Sequence, residues 1–281
     1  MPTFSTPTPI DLAIDLPAGR VEIIASDRTD TVVSAVPSNA SKAADARAAE
    51  DTQVTFADGR LTVTGARPRL TWLGPTGSVD VTVELPAHSR VTVDTGAGAA
   101  RTSGPLGATR VKSGLGSVDI ESSTDLWIKA SHGNASVGEA TGSVEVTTDH
   151  GQVRIGAVGG DVIARSSHGS IAIDQVAGDL DAKLSYGDLN VGRADASATA
   201  TTAYGAIHLH EVSGGSIQLD SGFGEITVGV REGVPAWLDL SSKSGHVRSQ
   251  LEAQAAPAAD EPSVAVRART AFGDITITRA R

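Results

Sequence analysis

The sequence predicts an all-β protein built as a β-solenoid, a parallel β-helix of about 18 residues per coil. Three observations predict it. Gly98, Gly116, Gly133, Gly151, Gly169, Gly187, Gly205 and Gly224 are separated by 18, 17, 18, 18, 18, 18 and 19 residues. With Gly at 31 of 281 positions, four successive steps of 18 after Gly133 would arise by chance with a probability on the order of 10⁻⁴. Apolar residues then fall two and four positions past each glycine, as in Val118/Ile120, Val153/Ile155, Ile171/Ile173, Leu189/Val191 and Ile207/Leu209. This is the period of a short strand with one buried face. Finally, 9 aromatic residues against 31 glycines suit a lumen too narrow for Trp but readily filled by Val, Ile, Leu and Ala.

Residues 1–90 carry strand-like runs without the 18-residue step: 10–16, 21–25, 31–36, 54–56, 61–64, 70–73 and 79–85. The Ala- and charge-rich stretch 41–50 is the one plausible helix. Terminal units of solenoids depart from the repeat because they must cover the open core edge. This region is therefore expected to be an N-terminal β cap continuous with the coils.

Residues 91–250 are the regular coils. After each G-x-φ-x-φ strand comes a turn rich in Gly (Gly138, Gly142, Gly159, Gly160, Gly178), then a second apolar alternation at Val144/Val146, Val162/Ala164, Leu180/Ala182, Ala198/Ala200 and Ile217/Leu219. Strands this short do not fold alone. Stacking one coil on the next pairs their backbones and joins the inward residues into apolar columns. Right-handed coiling is the default for parallel crossovers. An antiparallel sandwich of hairpins is the competing architecture, but hairpins require no constant 18-residue register. A left-handed hexapeptide helix would need apolar residues at equal intervals of six. Residues 251–263 read as an acidic Ala/Pro-rich loop, and 264–281 as closing strands, with looser repeat copies at Gly245 and Gly273. Trp237 is expected to plug the C-terminal coil.

Zero Cys excludes a disulfide framework, a thiol nucleophile and Cys-ligated metal. A net charge of −10 argues against nucleic acid as a partner, which needs clustered Lys and Arg. No run of apolar residues is long enough to insert in a membrane. Met1–Ile10 has neither the basic nor the apolar region of a signal peptide. The expected location is cytoplasmic, with surface display open only to a chain whose leader has been removed.

Three segments carry a resemblance: VELPAHSRV (83–91), SHGSIAI (167–173) as one of the serial S-x-G-x-φ-x-φ units, and the closing AFGDITI (271–277). Together they resemble the bacterial DUF4097 "putative adhesin" β-strand repeat proteins, of actinobacterial type in the N-terminal block. The resemblance covers nearly the whole chain. It implies a β-solenoid, no established enzymatic activity and no catalytic residues to carry over. "Adhesin" further implies surface display, at odds with the expectation above that no signal or anchor segment is present.

The sharpest candidate for chemistry is the position before each repeat glycine: Leu115, His132, His150, His168, Tyr186, Tyr204 and Phe223. Three successive histidines would form an imidazole ladder at about 5 Å spacing. Such a ladder could be a metal site at His132, His150 and His168 or a pH sensor. The structural alternative is a stacking ladder at a corner, and a linear row is a poor tetrahedral cage. A second candidate is the acidic surface: residues 110–229 hold 15 Asp and Glu against 7 Lys and Arg, with Asp161 and Asp179 in equivalent turns beside Ser143 and Ser197. It is expected to be a solvated face, with calcium or a basic partner as the sharper alternative. Ser131–His132, Ser167–His168 and Asp149–His150 do not make catalytic pairs, because adjacent strand residues point to opposite faces. No G-x-S-x-G or H-E-x-x-H occurs.

These observations point to a non-enzymatic, adhesin-like scaffold without a cofactor. It would present an extended acidic surface to a protein or polymer partner, and would self-associate by edge or end stacking if the final GDITIT strand (273–278) is left unpaired. A carbohydrate-binding or carbohydrate-acting β-helix is the alternative, and a His-ladder metal or pH sensor a minor one.

Overall fold

Residues that alternate apolar and polar must turn one row away from water, and here almost every such run is a strand. The computed structural model describes residues 2–66, 77–252 and 263–280. It divides into two units, Met1–Gly138 and Glu139–Arg281. Each is a β-solenoid with two sheets, one formed by the strand before each repeat glycine and the other by the strand after it. The coils pair in parallel, and antiparallel strands are added only at the outer edge of the first unit.

In the second unit, strands Val144–His150, Val162–His168, Leu180–Tyr186, Ala198–Tyr204 and Gly215–Phe223 pair in parallel and in register. So do Val153–Val158, Ile171–Val176, Leu189–Ala194, Ile207–Val212 and Ile226–Val230 on the other sheet, with one register shift between Leu209 and Val212 in the last pair. Equivalent residues therefore stack. Val153, Ile171, Leu189, Ile207 and Ile226 form one column, and Ile155, Ile173, Val191, Leu209 and Val228 the next. All ten are buried.

The end of the chain does not form the end of the stack. Val264–Phe272 lies between Gly215–Phe223 and Ala236–Ser244. Ile275–Arg279 likewise lies between Ile226–Val230 and Val247–Ser249. The final segment is thus the penultimate coil, and residues 236–249 are outermost. The condition under which the GDITIT strand would lead to stacking is not met: Ile275 and Ile277 are paired on both sides and buried. The same order displaces Trp237, which is no plug but 59% exposed on the outer face.

In the first unit, Arg90–Ala97, Thr109–Leu115 and Leu126–His132 pair in parallel, as do Ala100–Pro105 and Val118–Ser123. The start of the chain supplies a further regular coil: Asp11–Ala18 stacks on Arg90–Ala97 and Val21–Ser26 on Ala100–Pro105. Beyond it the pattern changes. Val79–Pro86 pairs in parallel with Val21–Ser26, but Asp30–Pro37 runs antiparallel to it, and Thr3–Ser5 antiparallel to that. On the other sheet, Arg60–Thr64 and Gln53–Ala57 make a hairpin turned by Asp58 and Gly59, both at positive φ.

The helix forms at Ala43–Glu50, within the stretch expected. Its buried Asp45 accepts the backbone N–H groups of Asn39 (3.2 Å) and Ser78 (3.0 Å), tying the helix to the strand ends beside it. Phe4 and Phe56, from opposite sheets, meet at 5.2 Å. The expected strand 70–73 and Trp72 lie outside the described residues. Among the described residues, no helix is long and apolar enough to cross a membrane.

Candidate functional site

The strands before the repeat glycines end with the same burial pattern. Three inward residues alternate along each, as Val162, Ala164 and Ser166 do, and the chain then bends through Ser167, His168 and Gly169. In five of these strands an inward hydroxyl donates to a glycine carbonyl: Ser166 to Gly169 O (3.0 Å), Thr202 to Gly187 O (3.3 Å), Ser221 to Gly205 O (3.0 Å), Thr270 to Gly224 O (3.0 Å) and Ser242 to Gly273 O (2.8 Å). Thr95, Ser113 and Thr148 at the same position are buried without such a bond, and Ala130 and Leu184 have no hydroxyl there. The bend turns the next side chain outward. The residue before the glycine is therefore exposed, although the alternation of the strand would place it inside.

In-register stacking turns that position into a continuous ladder. His150 and His168 stack with centroids 4.7 Å apart, His168 and Tyr186 at 5.1 Å, Tyr186 and Tyr204 at 5.0 Å, Tyr204 and Phe223 at 4.9 Å, and Phe223 and Phe272 at 4.8 Å. Ring planes agree within 6°, an offset-stacked arrangement imposed by the strand register. The Tyr and Phe rings remain 46–52% exposed. Their faces are used against one another, so the row presents ring edges, first imidazole, then phenol, then phenyl. The row runs on to Ser244, the register partner of Phe272.

In the first unit the same position carries Ala18, Ala97, Leu115 and His132. Among the described residues, no three His, Asp or Glu side chains cluster so as to hold a metal ion, and His150 and His168 meet ring to ring.

The acidic turns have a second local role. Asp161 accepts the backbone N–H of Asp179 (2.9 Å) on the next coil, and Asp179 accepts that of Ser197 (3.1 Å). Ser143 and Ser197 do the same for Asp161 (3.4 Å) and Ser216 (3.3 Å). At the other corner, Ser170 accepts from Asp188 (3.2 Å), and Asp188 from Ala206 (2.8 Å). Strand pairing lapses at these bends, and the side chain of one coil supplies the acceptor that the next coil's N–H would otherwise lack. We expect Asp179→Ala to cost about 1 kcal/mol and Asp179→Ser much less, read from urea midpoints. Equal losses would show that the corner bond contributes nothing.

The Toastrack DUF4097 family matches residues 10–278. The chain belongs to this family. No curated protein matches it. Among solved structures, a "putative adhesin" from Bacteroides fragilis is 13% identical, with 98% of this chain and 95% of that one covered and a TM-score of 0.38. A "putative cell adhesion protein" from Clostridium sporogenes is 10% identical over 99% and 98%, with a TM-score of 0.20. A "putative adhesin" from Parabacteroides merdae is 11% identical over 100% and 95%, with a TM-score of 0.33.

Two further features of this Toastrack chain are polar. Asp195 sits at a corner where its carboxylate accepts from Arg193 Nε (2.7 Å) and the Ser213 hydroxyl (3.0 Å). Partial burial pushes this carboxyl up, but the bonds from Arg193 and Ser213 and the Arg193 charge outweigh it and hold the group below its usual 3.8. A depressed folded value means stability that is present above 3.8 and lost as pH falls through the folded value. Asp195→Asn is therefore expected to flatten the decline of the urea midpoint below 3.8. An unchanged slope would remove Asp195 from that role.

On the outer face of the last coils, Trp237 borders a 370 Å³ cleft with Gln218, Asp239 and Arg267. Asp239 and Arg267 are paired there at 2.9 Å. Trp127, by contrast, is covered by Arg110, whose guanidinium carbon lies 3.6 Å from the ring centroid. Sequence reasoning found the ladder from Leu115 to Phe223 but not Phe272, whose place beside Phe223 depends on the inverted order of the last coils. The signal was available: Phe272 also precedes a repeat glycine, Gly273.

Proposed function

We propose that this Toastrack chain is a non-enzymatic, adhesin-like interaction scaffold that binds a protein or polymer partner along the ladder corner of its second unit. The observation that carries this reading is the row of exposed ring edges at a constant 4.7–5.1 Å step. Donors and acceptors at that step suit an extended partner whose own groups repeat, above all a β-strand added alongside or a regular polymer. The acidic balance of residues 110–229 favours a partner with basic or hydrogen-bond-donating groups. The test is binding to a panel of bacterial envelope polymers and extended basic peptides, with wild type set against a His168→Ala, Tyr186→Ala, Tyr204→Ala triple variant. Wild type should retain a ligand that the variant releases while keeping its circular dichroism spectrum. Equal retention by both would contradict the assignment.

The cleft at Trp237 favours a second reading, recognition of a carbohydrate. An exposed indole face beside an Asp–Arg pair and a Gln amide combines apolar stacking with planar hydrogen-bonding groups. On a glycan array Trp237→Ala should abolish the signal. A silent array with wild type would dismiss this reading.

A further inference from the structure

The two units end their sheets differently. In the first, the outermost strands are Thr3–Ser5 and Gln53–Ala57, three and five residues long, both antiparallel to their neighbours, with helix Ala43–Glu50 joining the two sides. Short antiparallel edge strands are a usual protection of an open sheet. In the second unit, the outermost strands are Ala236–Ser244 and Val247–Ser249. Ala236–Ser244 is nine residues long, keeps an unbroken parallel register from Ala236↔Val264 to Ser242↔Thr270, and contains no Pro.

The core runs out at this coil. Leu238 continues the column of Ile217 and Val266, which are 0% and 1% exposed, yet is itself 37% exposed. Val247 continues the column of Ile226 and Ile275, both fully buried, and is 46% exposed. Among the described residues, nothing pairs with the free side of either strand.

We propose that this edge pairs with the same edge of a second copy of the chain, giving a closed two-fold dimer joined at residues 236–249. The sequence of the strand, AWLDLSSKS, is its own electrostatic complement. In an antiparallel pairing centred on Ser241, Asp239 of each copy lies opposite Lys243 of the other, so two opposite-charge pairs form across the axis. That arrangement also covers Leu238, Leu240 and Val247 and gives the free backbone groups partners. A two-fold contact uses the 236–249 edge of each copy once, and the outermost strands of the first unit are short and antiparallel to their neighbours, so the contact closes as a dimer and does not propagate into a filament. Pairing joins two ladders in one particle, which raises the avidity for any repetitive partner.

The experiment is sedimentation equilibrium on the full chain, wild type against Leu238→Lys and Lys243→Glu. Leu238→Lys places a charge on the exposed core end, and Lys243→Glu sets a carboxylate against Asp239 of the second copy. Lys243 is exposed, so folding is retained, and circular dichroism melts verify this for both. Wild type is expected at twice the 28.5 kDa chain mass. Each variant should raise the dissociation constant at least tenfold, and added salt should weaken wild type but not Lys243→Glu. A wild-type chain that stays at 28.5 kDa at the highest concentration overturns the proposal. So do folded variants that dimerise as wild type does, and so does assembly into open-ended polymers.

Discussion

Ile171→Asp is expected to abolish cooperative folding of the second unit, whereas Ser170→Asp, one residue earlier, leaves it intact. Ile171 is fully buried, with Val153 stacked on one side and Leu189 on the other. A carboxylate there has no donor and no water, and an unpaired buried charge costs more than about 4 kcal/mol, a large part of the 5–15 kcal/mol that holds a typical domain. Because each coil relies on its neighbours to complete its core, the loss spreads along the stack. Ser170 faces the corner, and its hydroxyl accepts the backbone N–H of Asp188. On the next coil Asp188 itself performs that task for Ala206, so an Asp at 170 has a ready role and should shift stability by less than about 1 kcal/mol. Soluble, cooperatively melting Ile171→Asp would refute the columnar core.

Gly169→Ala should be nearly as damaging, for a backbone reason. Gly169 has φ +143°, where residues with a side chain are strained, and a Cβ built on it falls 2.0 Å from the carbonyl oxygen of Gly151 on the previous coil. The clash is with backbone that is itself pinned: Gly151 donates to His168 O (3.0 Å) and Gly169 donates to Tyr186 O (2.9 Å). Relief requires parting two coils. Strain of about 1–3 kcal/mol for the backbone angle and a similar cost for overpacking together predict a loss of roughly 3–5 kcal/mol in chemical denaturation. Gly59→Ala is the control, since φ is +72° there but a Cβ would meet no atom within 4 Å. Only the backbone term applies, about 1–2 kcal/mol. Equal losses at the two sites would mean that coil-to-coil contact at the glycine column is not what selects glycine.

That same contact explains what could be read from the sequence. A spacing of 18 is visible because each repeat glycine must face the carbonyl of the last, and the Val, Ile and Leu columns are visible because strand alternation leaves them one place to go. What stayed hidden depended on the order of stacking. Gly19-Arg20-Val21-Glu22-Ile23 carries the repeat pattern, yet lies 79 residues before Gly98, the glycine its own carbonyl would meet. Gly273 stacks directly on Gly224, ahead of Gly245. Coil edges of similar length and apolar content accept one another, so a pattern that identifies a coil does not rank it in the stack.

The candidate site was half legible for a related reason. The ladder position could be picked out by its period, but its outward direction comes from a break in the strand alternation that leaves His150, His168 and Tyr186 exposed whether Thr148, Ser166 or Leu184 lies two residues earlier. Asp161 and Asp179 could be seen to repeat. That they hold the next coil's N–H groups required the position of that coil.

The most direct test of the stacked-coil account is a set of spin-label distances in the second unit, measured with labelled protein diluted into unlabelled. The chain has no Cys, so pairs can be placed cleanly on one outward column, with Thr147 as reference and Asp220, Arg269 or Ser241 as the second site. In register these lie four, five and six coils away, which predicts about 19, 24 and 29 Å at about 4.8 Å per coil. Distances rising in that order, with Arg269 nearer than Ser241 despite lying later in the chain, are the predicted result. Distances that fail to grow by a constant step, or that place Ser241 nearer than Arg269, would contradict the account.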